Sequence, residues 1–265
     1  MELAYDRTGS GPPLVLLHGL GHRRQAWGAV TGLLAPYREL IVVDLPGHGE
    51  SPPLVTAGKP PVPVMLEALL GFLAELGLDR PHLAGNSLGG RLALEAGAAG
   101  HAASVTALSP AGFFRNRADM VYARAIFNVM QAAGRQLQPV SAQLLPSTAG
   151  RGLLYGAIVN RPSRLTPEQA SGDFEAFLAA REAVSVVLSG MDQFTGHLPP
   201  GVPLTIAWGS KDRLLPRRQA LVAKAALPTA QFVLLRGCGH VPMTDDPELV
   251  ADVLLRGSGA SGDRR

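Results

Sequence analysis

Cysteine is almost absent from this chain of 265 residues. Cys238 stands alone, so no intrachain disulfide can form. Runs of like charge are missing as well. The 24 Lys and Arg and 21 Asp and Glu leave a net charge of +3, and the arginines are scattered despite a pI near 9.3. Without a basic stripe, nucleic-acid binding is disfavoured. Long hydrophobic runs are lacking too: the longest near the start, Pro12 to Leu17, is too short to span a membrane. Met1 to Gly11 carries Glu2, Asp6 and Arg7 and no apolar h-region, so it does not read as a signal peptide. The simplest location is then the cytoplasm. Charged residues make up only 17% against 46% hydrophobic, which excludes a disordered or charge-driven chain and leaves material for a large core.

What is present is alternation, punctuated by 31 Gly and 22 Pro. Apolar runs at Leu14–Leu17, Leu40–Val43, Pro81–Gly85, Val105–Leu108, Leu204–Trp208 and Gln231–Leu235 read as buried parallel strands. Segments between them, at Gln25–Ala35, Val64–Leu76, Leu88–Ala99 and Arg217–Ala226, read as helices, and Pro247–Leu255 as a closing helix. This pattern predicts an α/β fold with a mostly parallel, doubly wound sheet. From Phe113 to about Pro200 no strand is predicted; helices are expected over Arg117–Gln138 and Glu168–Leu188, with a turn-rich stretch, Pro139–Arg164, between them. The expected organisation is a core of residues 1–112 and 201–256, a helical insert of 113–200, and a disordered polar tail of 257–265.

Gly85-Asn86-Ser87-Leu88-Gly89 lies between a predicted strand and a predicted helix, the context of a nucleophile elbow. The turn lifts the serine hydroxyl from the sheet, and the helix N-terminus points at developing negative charge. A serine needs a base, and chain order in such folds runs Ser, acid, His. Asp212 follows the strand Leu204–Trp208, and His240 follows Gln231–Leu235. In an open parallel sheet those C-terminal strand ends share one edge. Ser87 is thus the candidate nucleophile, His240 the base and Asp212 the acid that orients it.

With these residues in hand, the chain resembles the α/β-hydrolase superfamily over nearly its full length. The matching stretches are His18-Gly19-Leu20-Gly21, Asp44-Leu45-Pro46-Gly47-His48-Gly49-Glu50-Ser51, Gly85–Gly90, Gly209–Asp212 and Gly239-His240. The resemblance implies an eight-stranded, mostly parallel sheet with a helical cap inserted after the sixth strand. Pattern alone yields about seven strands, so one antiparallel edge strand is expected to be reduced or missing. The resemblance also implies an oxyanion hole made by the backbone N–H groups of Leu20 and Leu88.

Other residues carry competing readings. Asp44 through Ser51 is expected to shape a loop by turn chemistry. His18, His22 and His48 lack metal-ligand spacing, and no metal or other cofactor is expected. Cys238 near His240 is expected to pack rather than react. Asp192 and Asp173 default to solvated surface charge, and Asp245 and Asp246 to capping the last helix. Trp27 either lines the pocket or packs in the core. Phe113, Phe114, Phe127, Met130 and Phe194 either form an apolar acyl pocket or serve as the insert's own core.

The function expected is hydrolysis of a carboxylic ester or related acyl compound through Ser87, His240 and Asp212, with a small molecule as the partner. Gly85-Asn86-Ser87 is similar to the elbow of relatives that cleave carbon–carbon bonds in ring-fission products, but Val241 stands where those carry a Trp after the catalytic His. A non-enzymatic small-molecule receptor on the same fold remains the alternative of a different class.

Overall fold

The computed structural model describes residues 2–259. The sequence elements fold in chain order as β1 (Tyr5–Thr8), β2 (Pro13–Leu17), α1 (Gly28–Leu34), β3 (Glu39–Val43), α2 (Pro61–Glu75), β4 (His82–Asn86), α3 (Leu88–Ala98) and β5 (Ser104–Leu108). Five helices follow without a strand: α4 (Arg117–Leu137), α5 (Ser141–Leu144), α6 (Thr148–Tyr155), α7 (Pro167–Ala179) and α8 (Arg181–Gly190). The alternation then resumes with β6 (Leu204–Gly209), α9 (Arg218–Ala226), β7 (Gln231–Leu235), α10 (Pro242–Asp245) and α11 (Pro247–Gly257).

The seven strands form one sheet in the order β1-β3-β2-β4-β5-β6-β7. All pairs are parallel except β1 with β3. Both faces are covered, as adjacent residues of β5 show. Neighbouring strand residues point to opposite faces. Val105 lies against Gly97 of α3, while Thr106 lies against Gly257 of α11. A doubly wound α/β sheet is therefore what the alternation builds. Strand registers bring the C-terminal ends level: Leu17 pairs with Gly85, Asn86 with Leu108, Leu108 with Ala207, and Gly209 with Leu235.

Sequence pattern and structure differ at four places. Strand β1 has no apolar signature, because all four of its residues are exposed at the sheet edge. The single helix expected over Glu168–Leu188 is two, broken at Ala180. The turn-rich stretch Pro139–Arg164, where no helix is expected, holds α5 and α6, the latter capped by the Ser147 side chain, which accepts from the Gly150 N–H. At the C-terminus, Gly257 closes α11 and Ser258 is buried, held by Arg38 through Nε to Oγ at 3.1 Å and through Nη2 to the carbonyl at 2.6 Å. The expected tail therefore does not begin at 257, and residues 260–265 lie outside the described residues.

Candidate active site

Strand β4 runs directly into Ser87, and α3 begins at the next residue. Ser87 has φ of 55°, in the left-handed region that a side chain makes costly, on the order of 1–2 kcal/mol. Backbone bonds hold it there. Its N–H donates to the Leu108 carbonyl at 2.9 Å, and its carbonyl accepts from Arg91 and Ala111 at 2.9 and 3.1 Å. The flanking glycines are needed for contact rather than for torsion. A Cβ on Gly85 would sit 2.2 Å from the Gly89 carbonyl, and one on Gly89 would sit 2.2 Å from the Leu17 oxygen. Strand, helix and neighbouring strand thus meet through bare backbone.

Asp212 and His240 rise from the loops after β6 and β7 and are both buried. His240 Nδ1 donates to Asp212 Oδ2 at 2.8 Å. The other carboxylate oxygen, Oδ1, accepts from the Leu214 and Leu215 N–H groups at 3.0 and 2.8 Å. Two backbone donors therefore fix the plane of the carboxylate, which in turn fixes the imidazole tautomer. The remaining ring nitrogen, Nε2, is buried and has no hydrogen-bond partner among the described residues. Asn86 Nδ2 donates to the His240 carbonyl at 2.9 Å and to the Leu108 carbonyl at 3.1 Å, tying the serine's strand to the histidine's loop.

Asp245 is a residue that sequence reasoning placed wrongly. Only Asp246 caps α11, accepting from the Leu249 N–H at 3.1 Å. Asp245 is fully buried and accepts from the N–H groups of Gly239, Asn160 and Arg161 at 2.7, 3.1 and 2.5 Å. The Ile158 carbonyl also accepts from the N–H groups of His240 and Val241, at 2.8 and 3.0 Å. The histidine loop is thus laced to the 158–161 segment. A neighbouring pair of aspartates before a helix, of which only one can cap it, was the available signal.

The loop after β2 is held by two neutral histidines. His18 Nδ1 donates to the Gly19 carbonyl at 2.8 Å and its Nε2 accepts from Leu45 at 3.0 Å; His48 Nδ1 donates to Pro46 at 3.0 Å and its Nε2 accepts from Gly21 at 3.0 Å. Each ring uses one proton and one lone pair, the inventory of the uncharged form. Burial pushes His48 down to about 4, and burial together with His48 lowers His18 well below its usual value. Asp44 binds Arg24 and the Glu50 N–H, while its carbonyl takes the Ser51 hydroxyl, so this motif shapes a loop. Among the described residues no group of His, Cys, Asp or Glu is gathered as a metal site. Gly19 lies so near that a Cβ there would be 3.3 Å from Ser87 Cβ. The next residue, Leu20, lines the cavity in front of Ser87. Leu88 is the first residue of α3, where an N–H has no intrahelical acceptor.

That cavity, about 250 Å³, is bordered by Ser87 and His240 on the sheet side and by α4, α6 and α7 on the other. Phe127 and Met130 line it. Trp27 and Phe113 do not: Trp27 is wholly buried in the core, and Phe113 packs on Phe194 with ring centroids 5.8 Å apart. Large aromatics fill whichever wall has room, and sequence does not say which. Asp192 is exposed and paired with Arg91 at 2.8 Å. Asp173 is not surface charge. It is buried, lines the cavity, and accepts from Arg23 Nε at 3.0 Å. Phe174, Phe177 and His22 also line the cavity and carried no sequence signal beyond type. Cys238 is buried, which pushes its thiol up to about 12, far from a reactive thiolate. No helix among the described residues is long and apolar enough to cross a membrane.

The chain is similar to known proteins over nearly its whole length. The chain is 28% identical to the pimeloyl-[acyl-carrier protein] methyl ester esterase of Aeromonas hydrophila, covering 96% of this chain and 98% of that protein. It is 26% identical to a 2-hydroxy-6-oxononadienedioate/2-hydroxy-6-oxononatrienedioate hydrolase of Dechloromonas aromatica, over 91% of this chain and 84% of the other. Its fold superposes on a thermophilic esterase from Thermogutta terrifontis with a TM-score of 0.73 at 22% identity, covering 96% and 92% of the two chains. With residues 14–253 matching the family, from the second strand into the last helix, the chain belongs to the Alpha/beta hydrolase family.

Proposed function

We propose that this hydrolase is a serine esterase acting on an uncharged, largely apolar carboxylic ester. One observation carries the reading. His240, held 2.8 Å from Asp212, shares an apolar cavity with Ser87, which sits at a strained turn before a helix. Ser87 Oγ attacks the ester carbonyl while His240 Nε2 takes its proton. The Leu20 and Leu88 N–H groups receive the oxyanion, each such donor being worth about 3–4 kcal/mol. The tetrahedral intermediate collapses, the alkoxide leaves with the proton from His240, and an acyl-serine remains. Water then adds to the acyl carbon with His240 as base, releasing the acid and restoring Ser87. Asp212 holds the imidazole and stabilises its charged form. Residues 113–200 act as a cap that excludes water and shapes the acyl site.

The cavity lining favours an ester over a ring-fission product. Asp173 is the one carboxylate on its wall, and no Arg or Lys among the described residues lines it. A dioate, named in the Dechloromonas relative, would bring two carboxylates into this apolar space. Each would cost several kcal/mol to desolvate without a cation. The test is labelling by a fluorophosphonate together with turnover of p-nitrophenyl esters. One label and ester turnover, both lost in Ser87→Ala, are expected. Labelling that persists in Ser87→Ala refutes the nucleophile. Turnover of a ring-fission dienoate but of no ester refutes the substrate class. Ligand binding without any turnover makes the protein a receptor.

A further inference from the structure

Apart from Ser87 and His240, four polar side chains interrupt the apolar cavity wall, and two of them are already occupied. Asn86 binds two carbonyls, and the Tyr155 hydroxyl donates to the Ala170 carbonyl at 2.5 Å. His22 and Asp173 remain. Asp173 sits on α7 and accepts from Arg23 Nε with Oδ1, which leaves Oδ2 to receive a second donor. His22 stands one residue before Arg23 and two after Leu20, on the loop beside Ser87. Its Nδ1 is buried and has no hydrogen-bond partner among the described residues. His22, Asp173 and His240 border the same cavity, and burial lowers the affinity of His22 for a proton, with Asp173 opposing and His240 adding to that shift, so His22 is uncharged. An unpartnered buried polar atom in an apolar wall is costly.

We infer that His22 and Asp173 form a polar subsite that selects an ester carrying an uncharged hydroxyl group. The inference rests on the esterase reading above and narrows its substrate class. A carboxylate accepts only, so Asp173 calls for a donor. A neutral imidazole offers both a donor and an acceptor. A hydroxyl satisfies both partners at once, with its hydrogen on Asp173 and its oxygen on His22. A substrate carboxylate meets repulsion from Asp173. An ammonium finds that charge already matched by Arg23.

The experiment compares kcat/KM for matched p-nitrophenyl esters: butyrate, 3-hydroxybutyrate and hemisuccinate. A second pair, propyl butyrate and glyceryl monobutyrate, places the hydroxyl on the alcohol side. The wild type should prefer the hydroxylated member of at least one pair by about tenfold, and hemisuccinate should be the poorest acyl substrate. The preference should collapse towards equality in His22→Leu and be largely restored in His22→Gln, which keeps a donor and an acceptor. Asp173→Asn gives an independent reading of the same ratio, and fluorophosphonate labelling of Ser87 verifies that each variant is folded. Equal rates for both members of both pairs in the wild type overturn the subsite while leaving the esterase reading intact. A preference unchanged in both His22→Leu and Asp173→Asn, or a preference for hemisuccinate, also overturns it. Absence of both labelling and turnover in the wild type brings down both readings.

Discussion

The sheet edge and the helical segment above it are built by different means. At the edge, backbone does the positioning. Ser87 is held through Leu108, Arg91 and Ala111, Asp212 through Leu214 and Leu215, and the glycines admit contacts that no Cβ would allow. Over the cavity, α4, α6 and α7 present side chains such as Phe127, Met130, Phe174 and Phe177. Some of that surface is open: Val129 and Leu153 line the cavity yet are 67% and 68% exposed. Atoms fixed by main chain tolerate little change, whereas a wall of side chains can be exchanged one methylene at a time. Chemistry should therefore be brittle and selectivity plastic.

The largest effect expected is on the edge itself. Asp212→Asn should lower kcat by about 10³- to 10⁴-fold for every ester, because the amide favours the wrong imidazole tautomer. Unfolding should change little, since an Asn oxygen can still accept from Leu214 and Leu215. A variant that retained wild-type kcat would break the contrast at its strongest point.

Next comes the seam between the two regions. Asp245→Ala strips the acceptor from three backbone N–H groups and should destabilise the protein by about 3 kcal/mol, read by urea unfolding. Activity should fall as well, because the same bonds hold the His240 loop. A loss of stability with unchanged kcat would show that the two regions are joined without being coupled.

A similar loss should follow from acid, at the loop after β2. His48 remains neutral in the folded protein down to about 4, while in the unfolded chain it titrates near 6.5. Above pH 6.5 neither state gains a proton. As the pH falls from 6.5 towards 4, the unfolded chain binds protons that the folded one refuses, so stability is lost, by about 3 kcal/mol at most from this ring. His18 acts in the same direction. Unfolding free energies at pH 7.5, 6.5 and 5.5 check the slope, and a flat profile would contradict it.

The smallest effect belongs to the wall. Phe127→Ala should move acyl-chain preference by roughly three- to tenfold towards longer or bulkier esters, with Ser87 still labelled by a small fluorophosphonate. An unchanged chain-length profile would mean that the wall does not select.

The same contrast governs what the sequence reveals. The edge is legible because apolar runs stop at glycine-rich turns, and Ser87, Asp212 and His240 follow those stops in order. Strand β1 is hidden because an exposed edge strand carries no apolar pattern. Continuous helical periodicity from Glu168 to Leu188 conceals the break at Ala180. Asp173 and Asp245 are misread because charge defaults to the surface, and only the fold supplies Arg23 to one and three amides to the other. For Trp27 and Phe113 the pattern leaves pocket and core equally open because bulk fits either, and the fold buries both.

The bonds from His240 and Val241 to Ile158, and from Asn160 and Arg161 to Asp245, bear on how such a protein could be rebuilt. They make the helical segment a poor candidate for wholesale exchange. A segment grafted from a relative would have to bring its own carbonyl for His240 and Val241 and its own amides for Asp245. Otherwise the graft would leave the histidine loop without its scaffold, however well its apolar face suited the new substrate. Point changes along α4 and α6, away from 158–161, are the more economical route to altered selectivity.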